Sequence, residues 1–244
     1  MDLRSLLKLL LFKFQIPATD NIRYDIYTKK IMQQVLRKDT NTLDIGCHKG
    51  EILDEILMYA PDGIHYAFEP LPHLFADLQK KYYQPAVHLS DIALFDKKGT
   101  TSFQYVINDP AYSGIRKRKY NKEVQITELT VKTDLLDNVI PDDVKIGFIK
   151  IDVEGAEYPV LKGGIESIRR SRPIIIFECG LGAADYYGTK PEEMYGLLSS
   201  DCGLRIRTMK GFLKNHPALT EKEFSKLFST GGEYYFIASP DQDL

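Results

Sequence analysis

Apolar residues recur along this chain in two alternating rhythms, short runs with a period of two and longer stretches at helical spacing. Ile22, Ile26, Ile31, Val35 and Leu36 mark a helix over 22–38. A short strand over 42–45 leads into a helix over 51–59. A second strand over 65–68 ends at Glu69-Pro70, ahead of a helix over 72–82 with Leu74, Phe75 and Leu78 on one side. A third strand runs over 87–94. Alternation over 102–107 and 124–131 predicts a hairpin pair around a polar insert. Then come a strand over 146–151, a helix over 158–170 and a strand over 174–177. The uninterrupted apolar run Pro173-Ile174-Ile175-Ile176-Phe177 is the mark of a central strand buried on both faces. Beyond it 191–199 reads as a helix, and 204–209 and 234–238 as late strands. Strands alternating with helices predict an α/β class fold, a Rossmann-like doubly wound, mostly parallel sheet with helices on both faces.

Leu3, Leu6, Leu7, Leu10, Leu11 and Phe14 fall on one helical face, interrupted by Lys8 and Lys13. The stretch is far below the roughly 20 apolar residues of a membrane span, and no small-residue cleavage site follows it. It predicts a helix packed on the body, with peripheral membrane contact through residues 1–14 as the alternative. The division expected is a helical segment over 1–38 and one domain over 39–244.

Composition narrows the class. The chain has 244 residues, 43% hydrophobic and 27% charged, as an ordinary globular domain does. Its net charge of −2 argues against a nucleic-acid binder. Cys47, Cys179 and Cys202 show no C-x-x-C spacing and read as reduced thiols of a cytoplasmic protein.

Two strand ends carry the candidate chemistry. The first is Asp44-Ile45-Gly46-Cys47-His48-Lys49-Gly50, on a strand–turn–helix where glycine permits a tight turn and close ligand approach. The dinucleotide pattern G-x-G-x-x-G is absent, because Cys47 and His48 fill its middle. A pyrophosphate is repelled by Asp44, whereas a ligand carrying an ammonium and a sulfonium is attracted. That contrast favours S-adenosylmethionine over NAD. Glu69 lies 19 residues past Gly50 and ends the next strand, close to the spacing at which an acid reaches the ribose hydroxyls of an adenosine cofactor. The bland alternative is a surface Glu before the Pro70 turn. Asp91, followed by Ile92, ends the third strand, where it faces an adenine amino group or merely caps a turn.

The second strand end is Lys150-Ile151-Asp152-Val153-Glu154-Gly155-Ala156-Glu157. Asp152 and Glu178 end successive strands and are read as converging on the edge pocket, as general bases or as ligands of a divalent cation. Glu154 is either catalytic or a helix N-terminal acid favoured by the dipole, and Glu157 is read as structural. Lys150 pairs with one of these carboxylates. The five histidines show no ligand spacing. His48 sits where it can touch cofactor or substrate, and His216 reads as a solvated loop residue. The basic run Arg116–Lys119, beside Tyr112 and Tyr120, is a solvated turn or a lip contacting an acidic or sugar substrate.

These residues resemble the FkbM-type methyltransferases, within the class I S-adenosylmethionine-dependent group. The resemblance runs through Leu43-Asp44-Ile45-Gly46-x-x-x-Gly50, Phe68-Glu69-Pro70, Ala93-Leu94 with Gly99, the segment Phe148 to Glu157, Val160-Leu161-Lys162-Gly163-Gly164, Arg172-Pro173 and Phe177-Glu178. It covers roughly residues 40–180. It implies a seven-stranded sheet, S-adenosylmethionine as methyl donor, and usually O-methylation of a sugar, glycan or natural-product hydroxyl. Asp44, Gly46, Cys47, His48, Gly50, Glu69, Pro70, Asp91 and Ile92 are the cofactor-side candidates, and Asp152, Glu154 and Glu178 the catalytic ones. The family loop commonly has Ala-Asn where Cys47-His48 stand here. The rival readings are an NAD-linked oxidoreductase and a non-catalytic binding relative of the fold.

Overall fold

The computed structural model describes residues 19–117 and 123–241. The expected helix over residues 1–14, with Arg118, Lys119 and Tyr120 of the basic run and its flank, lies outside them. Helix α1 (Asp20–Val35) begins at Thr19, whose side chain accepts from the Ile22 amide.

A seven-stranded sheet forms the centre. Strands β1 (Thr42–Ile45), β2 (His65–Phe68), β3 (Val87–Ser90), β7 (Phe148–Ile151) and β8 (Ile174–Glu178) run parallel. Strand β10 (Tyr235–Ser239) is inserted antiparallel between β8 and β9 (Arg205–Thr208), which gives the order β3-β2-β1-β7-β8-β10-β9. Helix α2 (Glu51–Tyr59) follows β1, and α3 (Pro72–Lys81) follows β2. The resulting architecture is the predicted Rossmann-like, mostly parallel one.

The period of two within each strand distributes the side chains over two cores. Leu43, Ile45, Ile149, Ile151 and Phe177 enter one, and Phe148, Ile176 and Ile237 the other, packed against Tyr24, Met32, Leu53 and Leu78 of the flanking helices. Asp44 and Lys150 are registered side by side in β1 and β7. By the same alternation they fall on the second face, beneath α1.

Three elements differ from expectation. The strand expected over 87–94 is two strands. β3 pairs with β2 as far as Ser90, and β4 (Ile92–Leu94) leaves at Asp91 to pair with β6 (Ile126–Asp134) in a second sheet. Strand β5 (Gly99–Val106) runs antiparallel to β6 and completes that sheet, order β4-β6-β5. A continuous apolar alternation carries no mark of which sheet each half joins. The helix expected over 158–170 breaks into α4 (Glu157–Lys162) and α5 (Ile165–Ser171). At the break a Cβ on Gly163 would overlap the Phe95 carbonyl in the turn after β4, and one on Gly164 the Leu136 side chain just after β6, so neither position has room for a side chain. The helix expected over 191–199 is α-helical over Pro191–Gly196 and widens into a π turn over Leu197–Asp201. Between β9 and β10 stand two short helices, Met209–Leu213 and Glu221–Thr230, the latter opened by a Thr220/Glu223 capping box.

Candidate active site

The carboxyl ends of β1, β2 and β7 open into a cavity of about 670 Å³, the place where an open α/β sheet binds ligands. Its wall includes Asp44 to His48, Phe68 to Leu71, Lys150 and Asp152 to Glu154. Helix α1 adds Asp25, Lys29 and Met32, and the second sheet with its insert adds Phe103, Ser113 and Ile115.

The glycine loop is shaped by three left-handed residues, Gly46 (φ 80°), His48 (φ 49°) and Gly50 (φ 79°). His is among the few non-glycine residues enriched in that region, as Asn is. His48 therefore keeps a turn that Asn would also make. A Cβ on Gly46 would overlap the carbonyl oxygen of Asp152, and one on Gly50 the Tyr82 hydroxyl. Both glycines are thus required by the protein's own close packing. Gly46 borders the cavity; Gly50 lies outside its wall and starts α2.

Glu69 ties the loop to the next turn. Its Oε2 accepts from the His48 amide at 3.0 Å and its Oε1 from the Leu71 amide at 2.9 Å. The residue is 5% exposed and faces the cavity beside Pro70. A carboxylate oxygen has two acceptor sites, so each oxygen retains one for a ligand hydroxyl. Asp44 is 2% exposed, and its Oδ2 is buried with no hydrogen-bond partner. Such an oxygen is costly unless a donor or cation reaches it.

Burial raises the pKa of Asp44 and Glu69 to about 7 each. For Asp44, Asp152, Glu51 and Glu69 add to the rise and Lys150 opposes it. Glu157, fully buried, is raised by the same cause to about 7; its Oε1 accepts from the Val153 and Gly155 amides at 3.1 and 3.4 Å, latching the Asp152–Gly155 turn. Unfolded, these carboxyls titrate near 4. Between about pH 4 and 7 the folded chain therefore holds protons the unfolded chain has lost. The stability from this source is complete at the acid end and is lost as pH rises through 7. The ligand-free protein is expected to melt at a higher temperature at pH 6 than at pH 8. A thermal scan showing the reverse order would place these carboxyls in solvent.

On β7, Lys150 is 4% exposed and its ammonium contacts Asp152 Oδ2 at 3.0 Å. The Tyr235 hydroxyl donates to the same oxygen at 2.6 Å, and Lys150 lies over the Tyr235 ring at 4.8 Å. Asp152 is thus held by a cation and a phenol, both at hydrogen-bond distance. Tyr235 opposes Glu178 across the β8–β10 pair.

The structure brings Asp44, Gly46, Cys47, His48, Glu69, Pro70, Ile92, Asp152 and Glu154 to one cavity wall. Glu178 and Asp91 stand outside that wall. Asp91 meets Lys132 at 3.1 Å, an ion pair between β4's entry and β6. Cys47 is a buried thiol whose pKa burial pushes up, unlike a reactive thiolate. His48 Nδ1 faces Glu51 at 3.8 Å. Among the described residues, no group of three His, Cys, Asp or Glu side chains is arranged to hold a metal ion. With Asp152 taken up by Lys150 and Tyr235 and Glu178 outside the wall, this donor set does not fit the divalent-cation alternative. Lys29, Met32, Phe103 and Tyr235 were not among the sequence candidates. Asp25, Lys29 and Met32 share one face of α1, and a lysine inside the apolar run of β7 is a visible anomaly; Tyr235 carried no signal.

The sequence pattern of the FkbM methyltransferase domain matches residues 44–206. The chain belongs to the FkbM methyltransferase family. The match spans both strand-end motifs and every cavity residue between them. A solved FkbM methyltransferase from Methylobacillus flagellatus KT superposes with a TM-score of 0.51 at 12% identity, over 96% of this chain and 59% of that one. This chain therefore spans less than two thirds of that neighbour, and the likeness is one of fold. Two further solved chains are the StiE O-methyltransferase segment 961–1257 (TM-score 0.47, 10% identity, 96% of this chain, 82% of that one) and a SAM-dependent methyltransferase from Aquifex aeolicus (0.42, 15%, 87% and 88%). No curated protein matches the sequence.

Proposed function

We propose that this FkbM-family chain is an S-adenosylmethionine-dependent O-methyltransferase acting on a hydroxyl of a sugar, glycan or natural product. The observation that carries the cofactor reading is the buried Asp44 Oδ2 with no hydrogen-bond partner. It stands in a cavity whose next strand end presents Glu69. Asp44 suits an amino-acid ammonium, and the remaining acceptor sites of Glu69 suit a ribose diol, with Pro70 and Ile92 beside them. Bound there, the cofactor supplies an activated methyl group for direct displacement by an oxygen nucleophile. The chain's own residues do the rest. Helix α1 and the second sheet narrow the cavity. Asp152, fixed by Lys150 and Tyr235, accepts the proton of the attacking hydroxyl, with Glu154 beside it on the wall. Holding the two reactants in line contributes many orders of magnitude to such a rate. Three buried free thiols suit a reducing, cytoplasmic setting. No helix among the described residues is long and apolar enough to cross a membrane.

Titration calorimetry with S-adenosylhomocysteine tests the cofactor. Glu69→Ala is expected to weaken binding by about 1–3 kcal/mol, the cost of losing a charged acceptor for buried hydroxyls. Unchanged affinity removes Glu69 from the ribose site. Binding of NAD with no heat from either adenosyl ligand returns the chain to the oxidoreductase reading. Activity is expected to survive EDTA, and loss with rescue by magnesium would restore a metal.

A further inference from the structure

Four non-glycine residues among those described have a positive φ: His48, Glu154, Arg172 and Asn215. His and Asn are residue types that tolerate the left-handed region, and Arg172 caps the end of α5. Glu154, at φ 58°, is neither a tolerant type nor a helix cap. It lines the cavity beside Asp152. A left-handed residue with a Cβ is strained, and glycine takes the same conformation without strain. The chain does place glycine at the next position, Gly155 (φ 106°). Strain kept at a cavity wall points to a side chain retained for what it does there.

Glu157 holds that strain in place. Its Oε1 accepts from the Val153 amide at 3.1 Å and the Gly155 amide at 3.4 Å, one on either side of Glu154. Both flanking amides are thus turned toward one oxygen. Glu157 is fully buried, and its Oε2 has no hydrogen-bond partner, so the carboxyl group's hydrogen bonds fall to Oε1, at this turn. The turn is also closely packed from outside. A Cβ on Gly155 would overlap the Ala183 carbonyl, and one on Gly114 would stand 3.5 Å from the Glu154 Cβ.

We propose that Glu157 is a positioning residue for methyl transfer: by binding the two amides that flank Glu154, it keeps Glu154 left-handed and fixes its carboxyl group on the cavity wall beside Asp152. This rests on the methyl-transfer reading of the cavity above. Glu157 itself does not line the cavity and acts through the backbone. One acceptor oxygen is enough for that task, so glutamine can replace it and alanine cannot.

Melting temperatures of the full chain test the holding and need no acceptor. Glu154→Gly and Glu154→Ala both remove the side chain and differ in the φ they favour. In the otherwise wild-type chain the glycine variant is expected to melt about 2–4 °C above the alanine variant. With Glu157→Ala added to each, the order is expected to reverse, because the released turn relaxes to a right-handed conformation in which alanine is the better residue. Glu157→Met, which fills the buried space without an acceptor, takes its place if the alanine chain does not fold. Glycine at or below alanine in the wild-type background overturns the proposal, and so does an order that the Glu157 variants leave unchanged. Failure of both Glu157 variants to fold makes the residue structural only. Turnover tests the consequence. Glu157→Gln is expected to keep kcat within about threefold, and Glu157→Ala to lower it at least about tenfold with cofactor Kd unchanged. Added to Glu154→Gln, Glu157→Ala is expected to change kcat by less than about threefold, because it acts through the residue already altered. Full kcat in Glu157→Ala, or losses that add in the double variant, overturn the positioning role. If neither S-adenosylmethionine nor S-adenosylhomocysteine binds the wild-type chain, the methyl-transfer reading falls and the positioning role with it, while the melting order still reports whether Glu157 holds the turn.

Discussion

Replacing Asp152 with Asn is expected to lower methyl transfer by about 10²–10⁴-fold, the range that a positioned proton acceptor contributes, while cofactor affinity changes little. Asp152 lines the cavity, and its Oδ2 takes the Lys150 ammonium and the Tyr235 hydroxyl. Asn is isosteric but neutral, so it keeps the space and loses both the proton acceptor and the partner of a buried cation. Tyr235→Phe separates these roles. It deletes one hydrogen bond at 2.6 Å without touching the acceptor. Losing a donor to the ionised carboxylate raises the pKa of Asp152, so the acid limb of the activity profile is expected to move to higher pH. A tyrosine that only packs would leave that limb in place. The assay begins with a panel of sugar and natural-product hydroxyls. Wild-type turnover by Asp152→Asn on the true acceptor would move proton transfer to Glu154 or His48. Glu178→Gln, outside the cavity wall, is expected to be the milder change.

The parts of the site that could be read from sequence share one property: they lie at strand ends in a short contiguous segment. Asp44 lies one residue from the end of β1, Glu69 and Asp152 follow apolar runs, and each reaches the cavity wall. Glycines beside two of them marked the turns. The parts that could not be read depend on contacts between distant segments. Tyr235 lies 83 residues from Asp152, in a late strand whose antiparallel insertion beside β8 no local pattern announces. The same insertion puts Tyr235 opposite Glu178, which stands outside the cavity wall. Asp91 has the composition of a ligand-facing acid, yet the chain changes sheets at that residue and Lys132 of β6 takes the carboxylate. Helix α1 was legible as a helix; that its Asp25, Lys29 and Met32 roof the site follows only from its packing over the face that carries Asp44 and Lys150.

Gly46→Ala is expected to destabilise the fold as well as empty the site, and this reverses the simplest reading of a glycine in a ligand loop. The sequence suggests a glycine kept small for the ligand, so that even Gly46→Val leaves a protein that is folded, or only mildly destabilised, and unable to bind. In the structure the space beside Gly46 is filled by the backbone carbonyl of Asp152, not by a ligand. That carbonyl cannot rotate away as a side chain can, because Asp152 is anchored by its amide to the Ile45 carbonyl at 2.9 Å. Gly46 also sits at φ 80°. A left-handed non-glycine residue costs about 1–2 kcal/mol, and forced overlap about 1–3 kcal/mol more. Together these take a sizeable share of the roughly 5–15 kcal/mol that holds a domain folded. The expected melting temperature is about 5–15 °C below wild type, with valine worse than alanine because its branched side chain is stiffer. Gly50→Ala provides the contrast. Its φ is 79°, but its neighbour is the Tyr82 hydroxyl at the end of a side chain, so its cost is expected to be smaller. Calorimetric melting of the three variants gives the order. A Gly46→Ala protein that melts with wild type, or above Gly50→Ala, would show that β1 and β7 separate easily at their carboxyl ends, and the close approach of Asp152 to the glycine loop would then not be what shapes the site.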